Sequence, residues 1–334
     1  MKKFKLLIVI LTLSIQSCST QTNKINGVSF VASNEVVNES HTNPVVSVNA
    51  NYAAVMPFGF VKNLDAPELV FNTTRQWFGE TKAGAKQYIQ ELKKKGIKIM
   101  LKPQIWVWRG EFTGFIDMQN EADWKTFEDS YSKFILEYAQ LAQDLKVDIF
   151  CIGTELEKFI DNRPAYWFTL IKNIKVSYKG KLTYAANWDE FKRTPFWDKL
   201  DFIGVDAYFP VSHSKTPTVQ ECLEAWKAHK QVVNSISEKH DKPILFTEYG
   251  YRSVDYSGKE PWKSDRSMNQ INMEAQTNTT QALFETFWKE DWFAGGFIWK
   301  WFHNHENVGG ENNSRFTPQN KPVEALVRKQ YRLK

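Results

Sequence analysis

The chain has 334 residues, of which 42% are hydrophobic and 24% charged, so it can bury a full core and is not disordered throughout. The formal net charge is +5, but residues 1–17 carry Lys2, Lys3 and Lys5 and no acid, which leaves 5 − 3 = +2 for the remainder. With no other basic run than the helical "KKKGIK", that balance excludes a nucleic-acid-binding surface of the strongly basic kind.

Residues 1–17 have a lysine-rich start and a short apolar run, Leu6 to Leu13, too short to span a bilayer. They read as a secretory signal. The segment "SIQSC" resembles a bacterial lipobox, which implies cleavage before Cys18 and lipid attachment to it. An exported protein is expected, lipid-anchored to the bacterial cell envelope on the surface or periplasmic side of the outer membrane. Membrane contact is expected only through that anchor. Residues 18–24 form a polar tether, and 25–334 form one catalytic domain. Beyond Cys18 only Cys151 and Cys222 remain, and two buried thiols are expected rather than a disulfide.

From there, apolar β-branched runs recur eight times: "GVSFVAS", "NYAAVMPFGFV", "IKIMLKPQIWVW", "VDIFCIGTE", "KLTYAANW", "LDFIGVDAYF", "PILFTEYGY" and "AGGFIWKWF". Helical periodicity fills many of the gaps, over 80–95, 121–146, 164 to about 178, 218–239 and 268–289. Strands alternating with helices imply parallel βαβ units, and eight of them imply a single closed (β/α)8 TIM barrel. No linker divides the chain, and a monomer is expected.

In such a barrel the chemistry lies at the C-terminal ends of the strands. The fourth run ends at Glu155 and the seventh at Glu248. Strand alternation puts Cys151, Gly153 and Glu155 on one face, with Phe150 and Ile152 on the other. It likewise groups Gly204, Asp206 and Tyr208, and then Phe297, Trp299 and Trp301. The mouth is therefore expected to hold Glu155, Glu248, Asp206, Tyr208 and Trp299. Lys102, Gln104 and Trp106 join from the third run, and Asn187 and Trp188 from the fifth. Asp206 is open to two readings, a structural acid or a direct substrate contact. Glu157 reads as a rim charge. Two carboxylates in an aromatic cleft fit glycoside hydrolysis: one carboxyl needs a raised pKa to protonate the leaving oxygen, and the other must stay ionised. Trp124, Trp167, Trp226 and Trp288 lie on helix patterns and read as core. Trp106, Trp108, Trp188, Trp262, Trp299 and Trp301 read as candidate sugar platforms.

The pieces "IGTE", "GVDAYFP", "LFTEYGY" and "FIWKW" resemble the clan A retaining glycoside hydrolases. More closely, the chain resembles glycoside hydrolase family 113, whose characterised members are mainly endo-β-1,4-mannanases, from about Gly27 to Trp301. The resemblance implies that Glu155 is the acid/base, Glu248 the nucleophile, Tyr208 the residue that orients the nucleophile, and Trp299 the floor of the subsite beside the scissile bond. It also implies double displacement on β-mannan or glucomannan. Many clan members have Asn before the acid/base, where it binds the sugar 2-hydroxyl; this chain has Thr154, and Asn187 or Lys102 is an alternative source of that contact. Other readings are a clan A β-glycosidase acting on exo-mannosides or on gluco- or xylo-oligosaccharides, and a catalytically dead carbohydrate-binding lipoprotein.

No cofactor is expected, because G-x-G-x-x-G, P-loop, G-x-S-x-G and H-E-x-x-H patterns are all missing from the sequence. No metal is expected either: His303 and His305 in "HNH" have no evident matching set elsewhere.

Overall fold

The computed structural model describes residues 24–264 and 269–333. The expected signal segment, Cys18 and most of the tether therefore lie outside the described residues.

Eleven strands occur among them: β1 (Ile25–Phe30), β2 (Tyr52–Val55), β3 (Phe58–Val61), β4 (Val70–Phe71), β5 (Lys98–Leu101), β6 (Gln104–Val107), β7 (Ile149–Thr154), β8 (Lys181–Asn187), β9 (Ile203–Asp206), β10 (Ile244–Tyr249) and β11 (Phe293–Trp301). Eight of them, β1, β2, β5, β7, β8, β9, β10 and β11, form a closed barrel in that order. Every neighbouring pair is parallel, and β11 returns to β1. This is the (β/α)8 fold.

The second and third apolar runs each hold two strands rather than one. Proline lacks the backbone N–H of a ladder donor, and the breaks fall at Pro57 and Pro103. Past these breaks β3, β4 and β6 leave the barrel as a separate three-stranded sheet, in which β3 is parallel to β6 and antiparallel to β4.

The helices are α1 (Glu39–Ser47), α2 (Lys82–Lys94), α3 (Glu121–Asp144), α4 (Glu157–Asn162), α5 (Pro164–Ser177), α6 (Val219–His240), α7 (Met273–Phe287) and α8 (Pro322–Arg332). Side chains fix their starts. Thr81, Asn120, Thr218 and Asn272 each accept a first-turn N–H. The Asn272 cap sets the start of α7 later than periodicity alone predicts. α2 stops where Gly96 takes φ +76°, a left-handed conformation that costs glycine little. Periodicity missed α1, α4 and α8. Between β8 and β9 there is only the short 3-10 turn Trp197–Lys199.

Alternation along the strands sorts the core. Ile25, Ala54, Met100, Ile149, Cys151, Ala185, Leu245 and Phe297 fill the barrel interior. Phe150 and Ile152 face the helix layer, in a larger cluster with Trp124, Trp167, Trp226 and Trp288. Gly27 is needed opposite Phe297: a Cβ there would lie 2.3 Å from the Phe297 ring. Cys151 and Cys222 are buried free thiols.

Trp301 departs from the expected face. β11 pairs Ile298 with Val28 but Trp301 with Phe30, so it carries one extra residue. Such a bulge reverses the alternation. Trp301 therefore turns outward, fully buried in the strand–helix layer, where it offers no surface to a sugar.

Candidate active site

The C-terminal ends of β7 and β10 bring the two glutamates to one mouth, in different surroundings. Glu248, next to Asp206 across β10 and β9, ends in three donors. The Lys102 ammonium lies 2.5 Å from its Oε1, Gln104 donates to the same oxygen at 3.2 Å, and the Tyr208 hydroxyl donates to Oε2 at 2.7 Å. Lys102 also reaches both oxygens of Asp206 at 3.4 Å, and Thr247 donates to Asp206 at 2.7 Å. Donors aimed at a carboxylate favour its charged form.

Lys102 has no exposed surface. Burial alone would lower its pKa, but Asp206 and Glu248 outweigh this and raise it, so the ammonium stays charged. Burial, reinforced by the charge of Glu248, pushes Asp206 up to about 7. Burial also holds the Tyr208 phenol well above its ordinary range, followed by Glu248 and Asp206, so it remains a proton donor. Lys102 and Asp206 thus lie beneath the site as its charge framework. This differs from the expected sugar contact of Lys102, because its ammonium is taken by two carboxylates and is out of solvent. For Asp206 it favours the structural reading, with lysine and threonine as its partners.

Glu155 is the contrasting case. It keeps part of its surface toward the mouth, and among the described residues no side chain hydrogen-bonds its carboxyl. Burial raises its pKa well above the ordinary carboxyl range, as do the charges of Asp206 and Glu248; Lys102 pulls the other way. Its backbone sits at φ +50°, the left-handed region that costs a side-chain-bearing residue about 1–2 kcal/mol. Hydrogen bonds offset that cost. Its N–H donates to the Ala185 carbonyl at 2.8 Å, and its carbonyl accepts from the Thr113 hydroxyl at 3.2 Å.

The next residue connects to an acid that sequence reading missed. Leu156 N–H donates to the Tyr184 hydroxyl at 2.7 Å, and that hydroxyl donates to Glu190 Oε1 at 2.9 Å. The other oxygen of Glu190 accepts the Asn187 N–H at 3.0 Å. Glu190 is buried, and burial is the main influence pushing it up to about 8. In the sequence it stands in the polar stretch "NWDEFKR" and looks like a surface charge. The only available signal was its position three residues after Asn187.

Asn187 is half-buried, and its side-chain oxygen accepts the Trp188 N–H at 2.8 Å. Trp188 stacks on Trp262, with ring centroids 5.3 Å apart and planes at 18°. The exposed platform of that pair is therefore Trp262. Trp299 is half-buried, and the Lys300 ammonium lies 5.5 Å from its ring centroid. Gln104 is turned toward Glu248, not toward solvent. Trp106 and Trp108 are exposed, on and just after β6. Beside them the accessory sheet carries a cleft of about 800 Å³, lined by Phe60, Arg75, Trp77 and Trp108 among others. The Thr154 hydroxyl has no hydrogen-bond partner among the described residues. Glu157 opens α4 and pairs with Arg193 at the rim.

One acid shielded and unpaired, facing another clamped by an ammonium, an amide and a phenol, is an arrangement suited to acid–base and nucleophilic division of labour. The profile of glycoside hydrolase family 113 matches residues 33–321. No curated protein matches the sequence. Among solved structures, the family 113 β-mannanase of Alicyclobacillus acidocaldarius, in complex with ManMIm, is similar at 21% identity and a TM-score of 0.78, over 93% of this chain and 98% of that one. Another family 113 β-1,4-mannanase gives 21% identity and a TM-score of 0.80, over 93% and 100%. The β-glucuronidase of Faecalibacterium prausnitzii is more distant, at 14% identity and 0.58, over 91% of this chain and 48% of that one. The chain belongs to glycoside hydrolase family 113 and is a glycoside hydrolase.

Proposed function

We propose that the protein is a retaining endo-β-1,4-mannanase acting on β-mannan or glucomannan. The observation that carries this reading is the unequal treatment of Glu248 and Glu155. Glu248, oriented by its contacts with Lys102, Gln104 and Tyr208, attacks the anomeric carbon. Glu155, protonated in its shielded position, gives its proton to the departing glycosidic oxygen. The C–O bond breaks and a covalent glycosyl–Glu248 ester forms. Glu155, now a carboxylate, takes a proton from water, which attacks the same carbon and releases Glu248. Two inversions leave the configuration retained. The polysaccharide substrate is suggested by the activity of the mannanases to which the chain is similar in fold. The half-buried Trp299 supplies an apolar face for the sugar beside the scissile bond, and Asn187 is placed to read a hydroxyl.

One observation keeps a second substrate reading in play. With Lys102 sequestered and Thr154 in place of the clan asparagine, the 2-hydroxyl contact differs, and that hydroxyl is where mannose and glucose part. Hydrolysis of β-mannan, glucomannan, xylan and cellulose with product sizing tests both. Mixed manno-oligomers support the proposal. Release of monosaccharide alone, or preference for xylan or cellulose, moves the protein to another β-glycosidase activity. Glycan binding without any hydrolysis would make it a binding protein.

We also propose export and lipid anchoring through Cys18, supported by the leader pattern of residues 1–17. Mass spectrometry of the cell-derived protein tests it: a lipidated N-terminal Cys18 is expected, and an intact unmodified residue 18 would contradict it.

A further inference from the structure

A second cluster of chemistry-bearing side chains lies on the same end of the barrel, outside the glutamate pair. It joins the first and the last strand of the barrel. β1 and β11 are hydrogen-bonded neighbours, so the loop after β1 meets the loop after β11. The first loop and the helix it enters supply Glu35 and His41, and the second supplies His303. One ligand atom from each lies within 4.8 Å of the other two. His303 Nε2 is 3.3 Å from Glu35 Oε2, and the rings of His41 and His303 meet edge to face at 5.0 Å.

His303 is the residue whose chemistry is incomplete. It is only 6% exposed, yet neither ring nitrogen makes a hydrogen bond among the described residues. A buried polar group left in that state destabilises the fold. The neighbouring carboxylate accounts for one nitrogen at ion-pair distance but without hydrogen-bond geometry. Two imidazoles and a carboxylate are the donor set of a zinc site with one position left for water. Ligands about 2.0–2.1 Å from a tetrahedral centre stand roughly 3.3–3.4 Å from one another. The His303–Glu35 separation already matches that edge, and the exposed Glu35 and half-buried His41 can close the rest.

We propose that Glu35, His41 and His303 bind one zinc ion, which ties the loop after β1 to the loop after β11. The ion holds the second loop four residues beyond Trp299, so its role is to brace that wall of the cleft; it takes no part in bond cleavage.

One existing contact opposes the ion and is outweighed. His41 Nδ1 accepts the Asn38 N–H at 3.1 Å, which requires that nitrogen to be unprotonated. Binding zinc through Nε2 puts the proton on Nδ1 and breaks this contact. The loss is about that of one cap interaction, far below the binding energy of a structural zinc site. The Asn38 side chain still caps α1 by accepting the Ser40 N–H at 2.9 Å.

The test uses the full chain prepared without an affinity tag, treated with EDTA, then titrated with ZnCl2 by calorimetry, with metal analysis after gel filtration and thermal melts. One zinc per chain and a melting temperature that rises with zinc are expected. Glu35→Gln, at an exposed position where folding is not at risk, and His41→Gln should each weaken zinc binding by at least ~10-fold. His303→Gln should abolish the thermal shift. Substoichiometric zinc, a melt indifferent to zinc, or Glu35→Gln and His41→Gln binding as tightly as the parent would overturn the proposal. The cluster would then be a His303–Glu35 ion pair alone.

Discussion

The Lys102 ammonium lies 2.5 Å from Glu248 Oε1 with no exposed surface of its own, so the proposed nucleophile rests on a buried counter-charge. Lys102 follows β5 and Glu248 ends β10, on opposite parts of the barrel wall. Closure of the sheet is what brings them together.

That pairing makes Lys102→Met informative. Removing one partner of a buried pair strands the other charge and costs about 3–5 kcal/mol of stability. Two carboxylates, Glu248 and Asp206, would then share a site without a cation, and Asp206, whose pKa that cation lowers, should be pushed higher still. Urea unfolding should show the loss of stability, and kcat/KM for glycan should fall. An unchanged unfolding curve and an unchanged kcat/KM would mean that Lys102 does not support the site.

Glu155 predicts the alkaline limb. As the proposed acid it must be protonated to act, and its pKa is raised, so kcat/KM for glycan should fall as pH climbs through that raised value. The same shift has a stability consequence of fixed sign. The folded pKa exceeds the unfolded 4.5, so the folded state binds more protons, and stability present at low pH is lost as pH rises toward and through the folded pKa. Glu155→Gln should therefore melt higher than the parent at pH 8 and nearly alike at pH 4. Turnover of glycan should drop about 10²–10⁴-fold, and less for aryl glycosides whose leaving group needs no proton. Equal losses on both substrates would contradict the acid role.

Glu190 predicts a different split between variants. Glu190→Ala leaves the Tyr184 hydroxyl and the Asn187 N–H without their partner, at about 1–3 kcal/mol for each buried group, and loosens the backbone beside Glu155. Glu190→Gln retains an acceptor and a donor. Because Glu190 is pushed up to about 8 from 4.5, the parent should lose stability between those pH values, and Glu190→Gln should flatten that slope. If the alanine variant keeps kcat and the alkaline limb of the parent, the Tyr184 chain does not position Glu155.

The cleft on the accessory sheet predicts a length-dependent effect. Trp108→Ala, far exposed and outside the glutamate pair, should raise KM for long manno-oligomers about two- to tenfold, an aromatic contact being worth about 0.5–1.5 kcal/mol. Short oligomers should be unaffected. An equal change for both lengths would place Trp108 off the substrate path.

Much of this was legible in the sequence because strand ends and alternation are local. "FCIGTE" and "LFTEY" place Glu155 and Glu248 at the mouth because they end strands; alternation grouped Gly153 and Glu155 with Cys151, but β7 and β10 each shift register just before their glutamate, and Gly153 faces Tyr131 and Trp167 in the helix layer. What stayed hidden depends on long-range geometry. The pattern put Lys102 at the mouth but could not say that it lies beneath Glu248. Trp301 was assigned to the wrong face because a one-residue bulge in β11 is invisible to periodicity. Glu190 sits in a polar loop, and only the fold reveals that the loop turns inward. Glu35, His41 and His303 come from opposite ends of the chain and meet only because the barrel closes.

Double displacement requires Glu248 to be the group that bonds to the sugar. Incubation with an activated 2-deoxy-2-fluoro-β-mannoside, followed by peptide mass mapping, reads that bond out. A stable adduct on the Glu248 peptide, absent from Glu248→Gln, is the predicted result. An adduct on any other residue, or release of product with inverted configuration and no adduct at all, would contradict it.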